Sequence, residues 1–440
     1  MRLVVNPGPP LAGTFRPPGD KSVTHRAYLF GLLARGTTRV EGANSGEDCA
    51  RTLRCAEALG AAVRHEAAAV EIRGVAGSLA EPEDVLDCGN SGTALRLLAG
   101  ALAAAPVFAV LSGDASLRSR PVARVIAPLR AMGATLSAKG GDRFPPLAVR
   151  GGSLAAAVFA EPTASAQVAG AVALAALGAR GTTSIAVRAG VRDHTERMLP
   201  AFGARVGTEK LADGGRRLIV EGGQSLTSTA MTVPGDFSAA AFFLAAAAAT
   251  PGAAVTAEGV SLNPTRCALL AILSKMGARV DIERTGENAG EDVGRVTVTG
   301  PARLEACDVP PEIVPSLVDE IPAWAVAASA ARGTSRLAGA AELRVKESDR
   351  LAALALNLSG LGIAVAERPD GLEITGGPVR GGSVAAGGDH RIAMAFAVLG
   401  ARASGPIEVD DASSIATSFP GFLETFLALG GRARSGSERA

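Results

Sequence analysis

Two kinds of apolar segment alternate along this chain of 440 residues. The first kind has apolar residues at i, i+3 and i+4, which predicts a helix with one apolar face. A glycine then ends the pattern as a helix C-cap would, and a short strand-like run follows. This pattern recurs six times, at intervals of roughly 70 to 85 residues, in CAEALGAAVRHE, IAPLRAMGATLSA, MLPAFGARVGTE, ILSKMGARVDIE, LNLSGLGIAVAE and FLALGGRARSG.

The second kind of segment comes before each of these. It starts with a turn or small polar residues, continues as an Ala-rich helix, and ends in glycine and a β-branched strand. Because these helices are apolar all round, we expect them to be buried. They lie in PPGDKSVTHRAYLFGLLARGTTRVEG, CGNSGTALRLLAGALAAAPVFAVLSG, PTASAQVAGAVALAALGARGTTSIAV, VPGDFSAAAFFLAAAAATPGAAVTAEG, VDEIPAWAVAASAARGTSRLAG and GGDHRIAMAFAVLGARASGPIEVDD.

The chain is therefore predicted to contain six copies of one α/β unit with two helices each, in two domains of three copies. PPGD (17–20) and VPGD (233–236) are the best candidates for the crossings, because Pro and Gly suit turns at a domain boundary. We assign residues 20–233 to one domain and residues 1–19 and 234–440 to the other. The tail RARSGSERA is expected to fray.

Composition narrows the class of protein. The formal net charge of +1 gives no reason to expect general binding to nucleic acid or to a membrane surface. The five cysteines have no CxxC spacing, and no His/Cys/Glu cluster has zinc-ligand spacing. Scattered reduced thiols favour the cytoplasm. We therefore expect a cytoplasmic protein without a metal site. A monomer that acts on small molecules without a cofactor is a further expectation, which does not rest on composition.

Polar residues collect at the starts of the Ala-rich helices. A helix start presents free N–H groups and the positive end of a dipole, so it suits an anion. If helix starts of both domains face one cleft, that cleft would bind phosphates and carboxylates. A plainer interpretation is that these Ser, Thr and Asp residues only cap helices. The residues concerned are Lys21, Ser22, Arg26, Asn90, Ser91, Thr93, Arg96, Ser165, Gln167, Asp319, Asp389, His390 and Arg391.

Acids and lysines add chemistry to this picture. Lysines are rare in the chain, yet Lys21 and Lys346 both lie beside other charged residues. The run LRVKESDRL (343–351) is typical of a solvated helix face, but it also contains Glu347. Glu347, and Asp319 at a helix start, are acids in a predicted cationic cleft. Such acids can donate and accept protons when their surroundings tune their pKa values.

Nine motifs occur in order across almost the whole chain: PGDKSVTHR, GNSGTALR, SLRSRP, ASAQ, RDHTERM, VPGD, ELRVKESDRL, GGDHRIAM and ATSFPGF. Together they resemble the 5-enolpyruvylshikimate-3-phosphate synthase family. GNSGT alone is unspecific, whereas PGDKSxxHR with RVKESDRL and DHRxAM is highly specific. The resemblance implies an α/β fold of two similar domains. Each would have three βαβαββ units around a pseudo-threefold axis, with the active site in an interdomain cleft.

The resemblance also implies the reaction. The enolpyruvyl group of phosphoenolpyruvate would pass to the 5-hydroxyl of shikimate 3-phosphate by addition and elimination, without metal or covalent enzyme adduct. This is the sixth step of the shikimate pathway to chorismate. The implied contacts with shikimate 3-phosphate are Lys21, Ser22, Arg26, Ser165, Ala166, Gln167, Arg192, Asp319 and Lys346. Those with phosphoenolpyruvate are Lys21, Gly92, Arg120, Gln167, Arg350 and Arg391.

The implied catalytic residues are Asp319, Glu347 and Lys21. Asp319 would accept or orient the proton of the 5-hydroxyl, and Glu347 would deliver a proton to the methylene carbon and later remove one. Lys346 would either bind shikimate 3-phosphate or help to protonate the departing phosphate. Which of these groups performs each transfer stays open at this point.

Two positions depart from the family pattern. Ala166 replaces a serine of the usual SSQ, so one hydroxyl contact to the phosphate is missing, and Thr417 replaces a lysine that contacts phosphoenolpyruvate. Thr417 resembles a divergent bacterial subgroup, whereas Gly92 is typical of glyphosate-sensitive members, so glyphosate sensitivity stays open.

Three other functions were weighed. A UDP-N-acetylglucosamine enolpyruvyl transferase would carry a cysteine at Ala115, five residues before Arg120. An RNA 3′-phosphate cyclase would need a nucleic-acid surface, which the near-neutral charge disfavours. A non-catalytic anion-binding protein would not need the acids.

Overall fold

The fold is given by a computed structural model, which describes residues 1–436. Its helices are α1 (Lys21–Leu33), α2 (Glu47–Ala58), α3 (Gly92–Ala103), α4 (Ala123–Ala131), α5 (Lys139–Asp142), α6 (Ala166–Gly178), α7 (His194–Met198), α8 (Phe237–Ala248), α9 (Ala268–Lys275), α10 (Ile321–Ala328), α11 (Arg350–Gly360), α12 (His390–Gly400) and α13 (Phe422–Ala428). No helix within the described residues is long and apolar enough to cross a membrane.

The strands are short. They are β1 (Arg2–Asn6), β2 (Ala12–Phe15), β3 (Thr37–Glu41), β4 (Ala62–His65), β5 (Ala69–Arg73), β6 (Leu86–Asp87), β7 (Phe108–Ser112), β8 (Thr135–Ala138), β9 (Phe144–Arg150), β10 (Val158–Thr163), β11 (Thr182–Val187), β12 (Val206–Lys210), β13 (Arg216–Glu221), β14 (Ala230–Thr232), β15 (Ala254–Ser261), β16 (Arg279–Asn288), β17 (Glu291–Thr299), β18 (Thr334–Leu337), β19 (Ala364–Arg368), β20 (Gly371–Thr375), β21 (Gly382–Val384), β22 (Ile407–Val409) and β23 (Arg432–Gly436).

The strands form six small sheets with one recurring order. In the sheet β6-β7-β9-β8, the edge strand β6 runs parallel to β7, and the other neighbours are antiparallel. With α3 and α4 this repeat reads βαβαββ along the chain, as expected. The other sheets are β14-β3-β5-β4, β10-β11-β13-β12, β2-β15-β17-β16, β18-β20-β19 and β21-β22-β1-β23.

Six glycines mark where the second helical segment of each repeat ends. All have positive φ, between 78° and 108°, which an L side chain adopts only with strain. The sequence pattern of helix, glycine and strand is therefore confirmed as a left-handed C-cap at Gly60, Gly133, Gly203, Gly277, Gly362 and Gly430. In MLPAFG, however, α7 stops after five residues and a 3₁₀ turn (Leu199–Phe202) follows. Pro200 in this turn lacks the N–H that a regular helix would need.

The chain divides into two compact units. The first unit comprises residues 1–18, 235–286 and 292 onward, and the second comprises residues 19–234 and 287–291. The sequence assigned 287–291 to the other domain, whereas these five residues, at the turn between β16 and β17, belong to the second unit. The N-terminal strands β1 and β2 complete sheets of the first unit, pairing with β22 and β15 respectively.

Ala-rich helices form the core of each unit, as predicted. Every residue of α8, α10 and α12 is buried, and these three helices of the first unit pack against one another. In the second unit, α3 packs on both α1 and α6. A Cβ on Gly100 would lie 2.1 Å from the carbonyl oxygen of Ala171, so α3 and α6 approach closely only because glycine is there.

Two local expectations need correction. In the tail RARSGSERA, residues 432–436 are not frayed but form β23, which pairs along β1; residues 437–440 lie outside the described residues. In LRVKESDRL, a 3₁₀ turn (Ala341–Val345) is followed by a loop, and α11 begins only at Arg350. The interpretation of this run as a solvated helix face is therefore wrong for residues 346–349.

Candidate active site

The start of α1 holds the first group of candidate residues in the second unit. Asp20 accepts a hydrogen bond from the Val23 N–H at 2.9 Å and so caps the helix. Lys21 is the next residue, and its ammonium lies 3.0 Å from a carboxylate oxygen of Asp48. Both side chains are largely buried. An anionic substrate would have to share Lys21 with this carboxylate or displace it.

Arg26 lies one turn further along α1 and is buried. It donates from Nε to the Thr195 hydroxyl at 2.8 Å and from Nη1 to the Ser22 carbonyl at 2.9 Å. Burial lowers the pKa of Arg26 to about 10, although the charges of Glu196 and Asp20 act in the opposite direction. The guanidinium remains charged at neutral pH, and its removal from water makes it receptive to an anion.

His25 also belongs to this region, and sequence reasoning passed over it as part of PGDKSVTHR. Its Nδ1 lies 2.7 Å from the Thr52 hydroxyl, and its Nε2 lies 3.4 Å from the hydroxyl of Ser91. Burial, together with the positive charges of Lys21 and Arg26, holds the pKa of His25 well below 6.5. A neutral histidine therefore ties α1 to α2 and to the start of α3.

Gln167 connects the starts of α3 and α6. Its side-chain oxygen accepts from Arg96 Nη1 at 2.5 Å, and its amide nitrogen donates to the Thr93 hydroxyl at 2.8 Å. Ser165, two residues earlier, caps α6 by accepting from the Val168 N–H at 3.4 Å. Ser165 is thus the N-cap of α6, and Ala166 is the first residue of the helix.

Gly92 is the first residue of α3, and Arg120, which follows the 3₁₀ turn Leu117–Ser119, lies beside it. Arg120 donates to the backbone and side-chain oxygens of Asn90 and to the Ser116 hydroxyl. A Cβ on Gly92 would lie 2.7 Å from Arg96 Nη1 and 3.7 Å from Arg120 Nη1. Two guanidinium groups therefore flank Gly92. The sequence analysis noted Arg96 at a helix start without giving it a role.

Arg192 lies in the loop before α7, and hydrogen bonds from a neighbouring strand hold the backbone of this loop. Arg216 on β13 donates to the carbonyls of Val191 and Arg192 at 2.7 Å and 3.0 Å, and it pairs with Glu196 at 2.7 Å. Burial is the main cause that lowers the pKa of Arg26, and the positive charge of Arg192 also lowers it, whereas nearby acids raise it. The two arginines are therefore close enough to interact electrostatically.

In the first unit, Arg350 at the start of α11 is bound by three carboxylates. Its Nε donates to Asp389 Oδ2 at 2.8 Å, and one Nη donates to Glu347 at 2.6 Å. The other Nη contacts Asp319 at 3.4 Å. Arg350 and Asp389 are fully buried, whereas Glu347 and Asp319 keep about a sixth of their side chains exposed, 18% and 17%. The two candidate proton-transfer acids thus contact the same guanidinium at the edge of the core.

The charge states of the buried pair follow from these contacts. Burial alone would lower the pKa of Arg350, but the charges of Asp389 and Glu347 reverse that effect and raise it. For Asp389, burial raises the pKa and the Arg350 charge lowers it, and the net pKa is lowered. Both groups therefore stay ionised. Sequence reasoning placed Asp389 at a helix start but missed that it neutralises Arg350.

Arg391 joins the same group. Its Nη1 donates to the Asp319 carbonyl at 3.1 Å, and its Nη2 lies 3.6 Å from the Asp319 carboxylate. Its backbone N–H donates to Asp389, which caps α12. The structure therefore brings together Asp319, Glu347, Arg350 and Arg391, residues that the sequence selected from three separate motifs.

Lys346 is held elsewhere. Its ammonium lies 3.1 Å from Glu342, one turn back in the chain, rather than among the carboxylates around Arg350. Arg344, in the same run, pairs with Asp349 at 2.8 Å. Thr417 is the last residue of a 3₁₀ turn, Ala412–Thr417.

A second buried ionic group lies beside the first and was not foreseen. Arg266 donates to Asp236 at 2.9 Å and to the Ser238 hydroxyl at 2.7 Å. Ser238 in turn donates to Glu320, the residue next to Asp319. The turn that carries Asp319 is therefore held through the Glu320 side chain and through the Arg391 contact.

Comparison with known proteins identifies the family. The EPSP synthase (3-phosphoshikimate 1-carboxyvinyltransferase) model matches residues 5–426. The chain belongs to the EPSP synthase family. A protein of Phenylobacterium zucineum named 3-phosphoshikimate 1-carboxyvinyltransferase is 48% identical, over 96% of this chain and 93% of the relative. One of the same name from Methylorubrum extorquens is 47% identical, over 99% and 98%.

Solved structures of the family agree with the fold. An EPSP synthase from Acinetobacter baumannii, solved at 2.37 Å, aligns with a TM-score of 0.86 and 41% identity, covering 99% of this chain and all of that one. A second structure of EPSP synthase from this organism aligns with a TM-score of 0.87 at 39% identity and equal coverage. The expectation of two similar three-repeat domains is confirmed.

Proposed function

We propose that this protein transfers the enolpyruvyl group of phosphoenolpyruvate to the 5-hydroxyl of shikimate 3-phosphate and releases phosphate. Family membership over nearly the whole chain supports the activity. The observation that carries the chemistry is that Glu347 and Asp319, both partly exposed, share the buried cation Arg350.

The first step is an addition. The 5-hydroxyl oxygen bonds to C2 of phosphoenolpyruvate while C3 takes a proton, which gives a tetrahedral intermediate with a methyl group. We assign the hydroxyl proton to Asp319 and the proton delivered to C3 to Glu347. Arg350 and Arg391 would bind the carboxylate and phosphate of phosphoenolpyruvate, since guanidinium groups suit both anions.

The second step is an elimination. C3 loses a proton to Glu347, the C2–C3 double bond forms again, and the bond from C2 to the phosphate oxygen breaks. The electron pair leaves with phosphate, whose charge Lys21, Arg120 and Arg391 would stabilise. Because Lys346 pairs with Glu342 rather than with the acids, we favour a substrate-binding role for it over proton transfer.

Binding of shikimate 3-phosphate is assigned to the second unit. Lys21, Ser22, Arg26 and the start of α6 (Ser165, Ala166 and Gln167) supply cations, hydroxyls and free helix N–H groups. Arg192 would add a further cation, in a loop that Arg216 holds. Gly92, Arg120 and Gln167 would extend the phosphoenolpyruvate site, and Asp319 and Lys346 would contact shikimate 3-phosphate from the first unit.

A coupled-substrate assay tests the activity. The purified protein should release phosphate from phosphoenolpyruvate when shikimate 3-phosphate is present and not when either substrate is omitted. UDP-N-acetylglucosamine should not replace shikimate 3-phosphate, since Ala115 stands where that enzyme class needs cysteine. Release that depends on UDP-N-acetylglucosamine would overturn the assignment.

Location and assembly are proposed as well. None of the five cysteines forms a disulfide within the described residues, which suits a reducing compartment. We place the protein in the cytoplasm, acting as a monomer without nucleic acid or cofactor. Light scattering of the purified protein with both substrates should give the mass of one chain, 44.0 kDa. A dimer mass under these conditions would contradict the monomer.

A further inference from the structure

The first unit contains a cavity of about 430 Å³ that the proposed reaction does not use. It lies where α8 and α10 end, and its walls include Ala249 and Ala331. Pro251 and Pro378 complete an apolar surface, and three arginines, Arg303, Arg332 and Arg402, supply the charge. We call this the arginine cavity. An apolar cavity of this size with a few convergent polar groups is typical of a small-molecule site.

Arg402 is the residue that does not fit a purely structural role. Its Nη1 is buried and has no hydrogen-bond partner within residues 1–436. Burial lowers the pKa of Arg402, and no nearby acid among the described residues acts against it. A buried guanidinium nitrogen without a partner is unfavourable for the fold. Arg402 lines the cavity, and a small rotation of its guanidinium would bring this nitrogen to an anion there.

Comparison of the repeats shows that Arg402 is less exposed than its counterparts. Arg35, Arg180 and Arg332 stand at equivalent positions, after the Ala-rich helix of their repeats, and all three are exposed. Each is followed by a glycine with φ between 95° and 98°. Arg402 is followed by Ala403, which is buried and does not have positive φ. The chain therefore turns differently here, and the arginine becomes half-buried at the cavity.

The other two arginines make the cavity cationic. Arg332 has a partner, Glu305, at 2.9 Å on the exposed side. With Arg303 and Arg402, the cavity therefore has three guanidinium groups and, within the described residues, only this one carboxylate to neutralise them. That balance suits a dianion better than a single carboxylate, and guanidinium groups bind phosphate oxygens in a bidentate manner.

We propose that the arginine cavity binds a small phosphate monoester with an apolar body. The phosphate would lie against Arg402 and Arg303, and the body would lie against the alanine and proline walls. This site lies entirely in the first unit, and its residues are separate from those assigned to the reaction.

The main rival is that the arginines only neutralise the carbonyl ends of α8, α10 and α12, where cations are favourable. The two ideas differ for Arg402→Met without ligand. If Arg402 stabilises the helix ends, its replacement removes that stabilisation, and the variant would melt at a lower temperature than wild type. If Arg402 is an unsatisfied cation that serves only to bind ligand, it does not stabilise the ligand-free protein. The variant would then melt at the same temperature as wild type or higher.

Phenyl phosphate is the probe, titrated by calorimetry into protein saturated with shikimate 3-phosphate. We expect Arg402→Met to bind phenyl phosphate about tenfold or more weakly than wild type, with turnover within about twofold of wild type. Arg180→Met, at the exposed equivalent position in the second unit, is the matched control and should bind like wild type. Phenol, which has the apolar body without the phosphate, should not bind.

Equal affinity of wild type and Arg402→Met for phenyl phosphate would overturn the proposal, as would equal binding of phenol. A lower melting temperature of Arg402→Met without ligand would assign Arg402 to the helix ends and also overturn it. If Arg402→Met does not fold, Arg303→Met tests the same cavity and should lose affinity for phenyl phosphate. Because turnover is measured in the same samples, failure of this site is distinguishable from failure of the proposed reaction.

Discussion

Both carboxylate oxygens of Asp389 accept hydrogen bonds from the guanidinium of Arg350, at 2.8 Å and 3.3 Å, and neither side chain reaches solvent. This pair fixes the plane of the guanidinium. Nη2 also donates to Glu347, and Nη1 contacts Asp319. The geometry of the two proposed proton-transfer acids therefore depends on a residue that need not touch substrate.

Asp389→Asn tests this dependence. The change leaves a buried cation with less negative charge around it, and we expect the free energy of unfolding to fall by about 3 kcal/mol. Turnover should also fall, because Arg350 would draw Glu347 into a tighter ion pair. Urea denaturation and steady-state kinetics measure the two effects.

The control for Asp389→Asn is Glu367→Gln, which breaks the more exposed pair with Arg344. Surface pairs contribute little, so this variant should lose less than about 1 kcal/mol. Losses of equal size in the two variants would argue against a special role for the buried pair.

Glu347→Gln tests proton transfer itself. Glutamine keeps the shape and one hydrogen bond to Arg350 but cannot carry the proton to and from C3. We expect kcat to fall by about 10²- to 10⁴-fold, with binding of both substrates changed by less than about threefold.

Glu373→Gln, on β20 and paired with Arg368, provides the matched change of charge away from the site. Its kcat should equal that of wild type. If Glu347→Gln weakened binding and left kcat intact, Glu347 would be a binding residue instead.

Gly92→Ala tests the close approach of two arginines. The new Cβ would lie 2.7 Å from Arg96 Nη1, the end of a flexible side chain, so the fold should tolerate it. The displaced guanidinium should disturb the neighbouring anion site, and we expect KM for phosphoenolpyruvate to rise by about tenfold.

Glyphosate inhibition of Gly92→Ala, measured against varied phosphoenolpyruvate, shows whether the same displacement weakens the inhibitor. We expect weaker inhibition than in wild type, where inhibition should be competitive. Gly360→Ala, at the end of α11 where a Cβ meets no atom within 4 Å, is the control for replacing a helical glycine. Unchanged kinetics in Gly92→Ala would refute the idea that displacement of the Arg96 guanidinium disturbs the anion site.

His25 predicts a pH dependence of stability. Its pKa in the folded state is well below 6.5 because of burial, Lys21 and Arg26. Below pH 6.5 the unfolded chain therefore takes up a proton that the folded chain does not. The free energy of unfolding should decline by up to about 1.4 kcal/mol per pH unit as the pH falls, until the folded-state pKa is reached.

Urea denaturation at several pH values between about 7.5 and 5 measures this slope, because the range brackets the pKa of about 6.5 of an unfolded histidine. His25→Gln should remove that part of the slope and leave the rest. His65→Gln, a histidine exposed on β4, is the control for loss of a histidine as such. Identical slopes in wild type and His25→Gln would mean that His25 does not titrate in this way.

Much of the fold could be predicted because its determinants are local. The glycine that ends each second helix must take positive φ, and this requirement is visible as a repeated glycine in the sequence. The all-apolar helices had to be buried, and α8, α10 and α12 are. The exceptions have local causes that leave a weaker signal in the sequence, such as Pro200 in the 3₁₀ turn that follows the short α7.

The candidate site was only partly predictable. The sequence selected Asp319, Glu347, Arg350 and Arg391 from motifs, but it did not reveal that Asp389 accepts from Arg350 across 39 residues. The Arg96–Gln167 contact spans 71 residues. Such contacts depend on which helix starts become neighbours when the helices pack.

The sequence by itself determined the sixfold repeat, the buried helices and the residue types at the helix starts, because periodicity and capping act over a few residues. Only the tertiary structure decided the surroundings of each charge: Arg350 lies among three carboxylates, Lys346 pairs with Glu342, and Arg402 lines a cavity. The reason is physical. A buried charge takes its partners from whatever packing brings within about 3 to 4 Å, and packing joins residues that lie far apart in the chain.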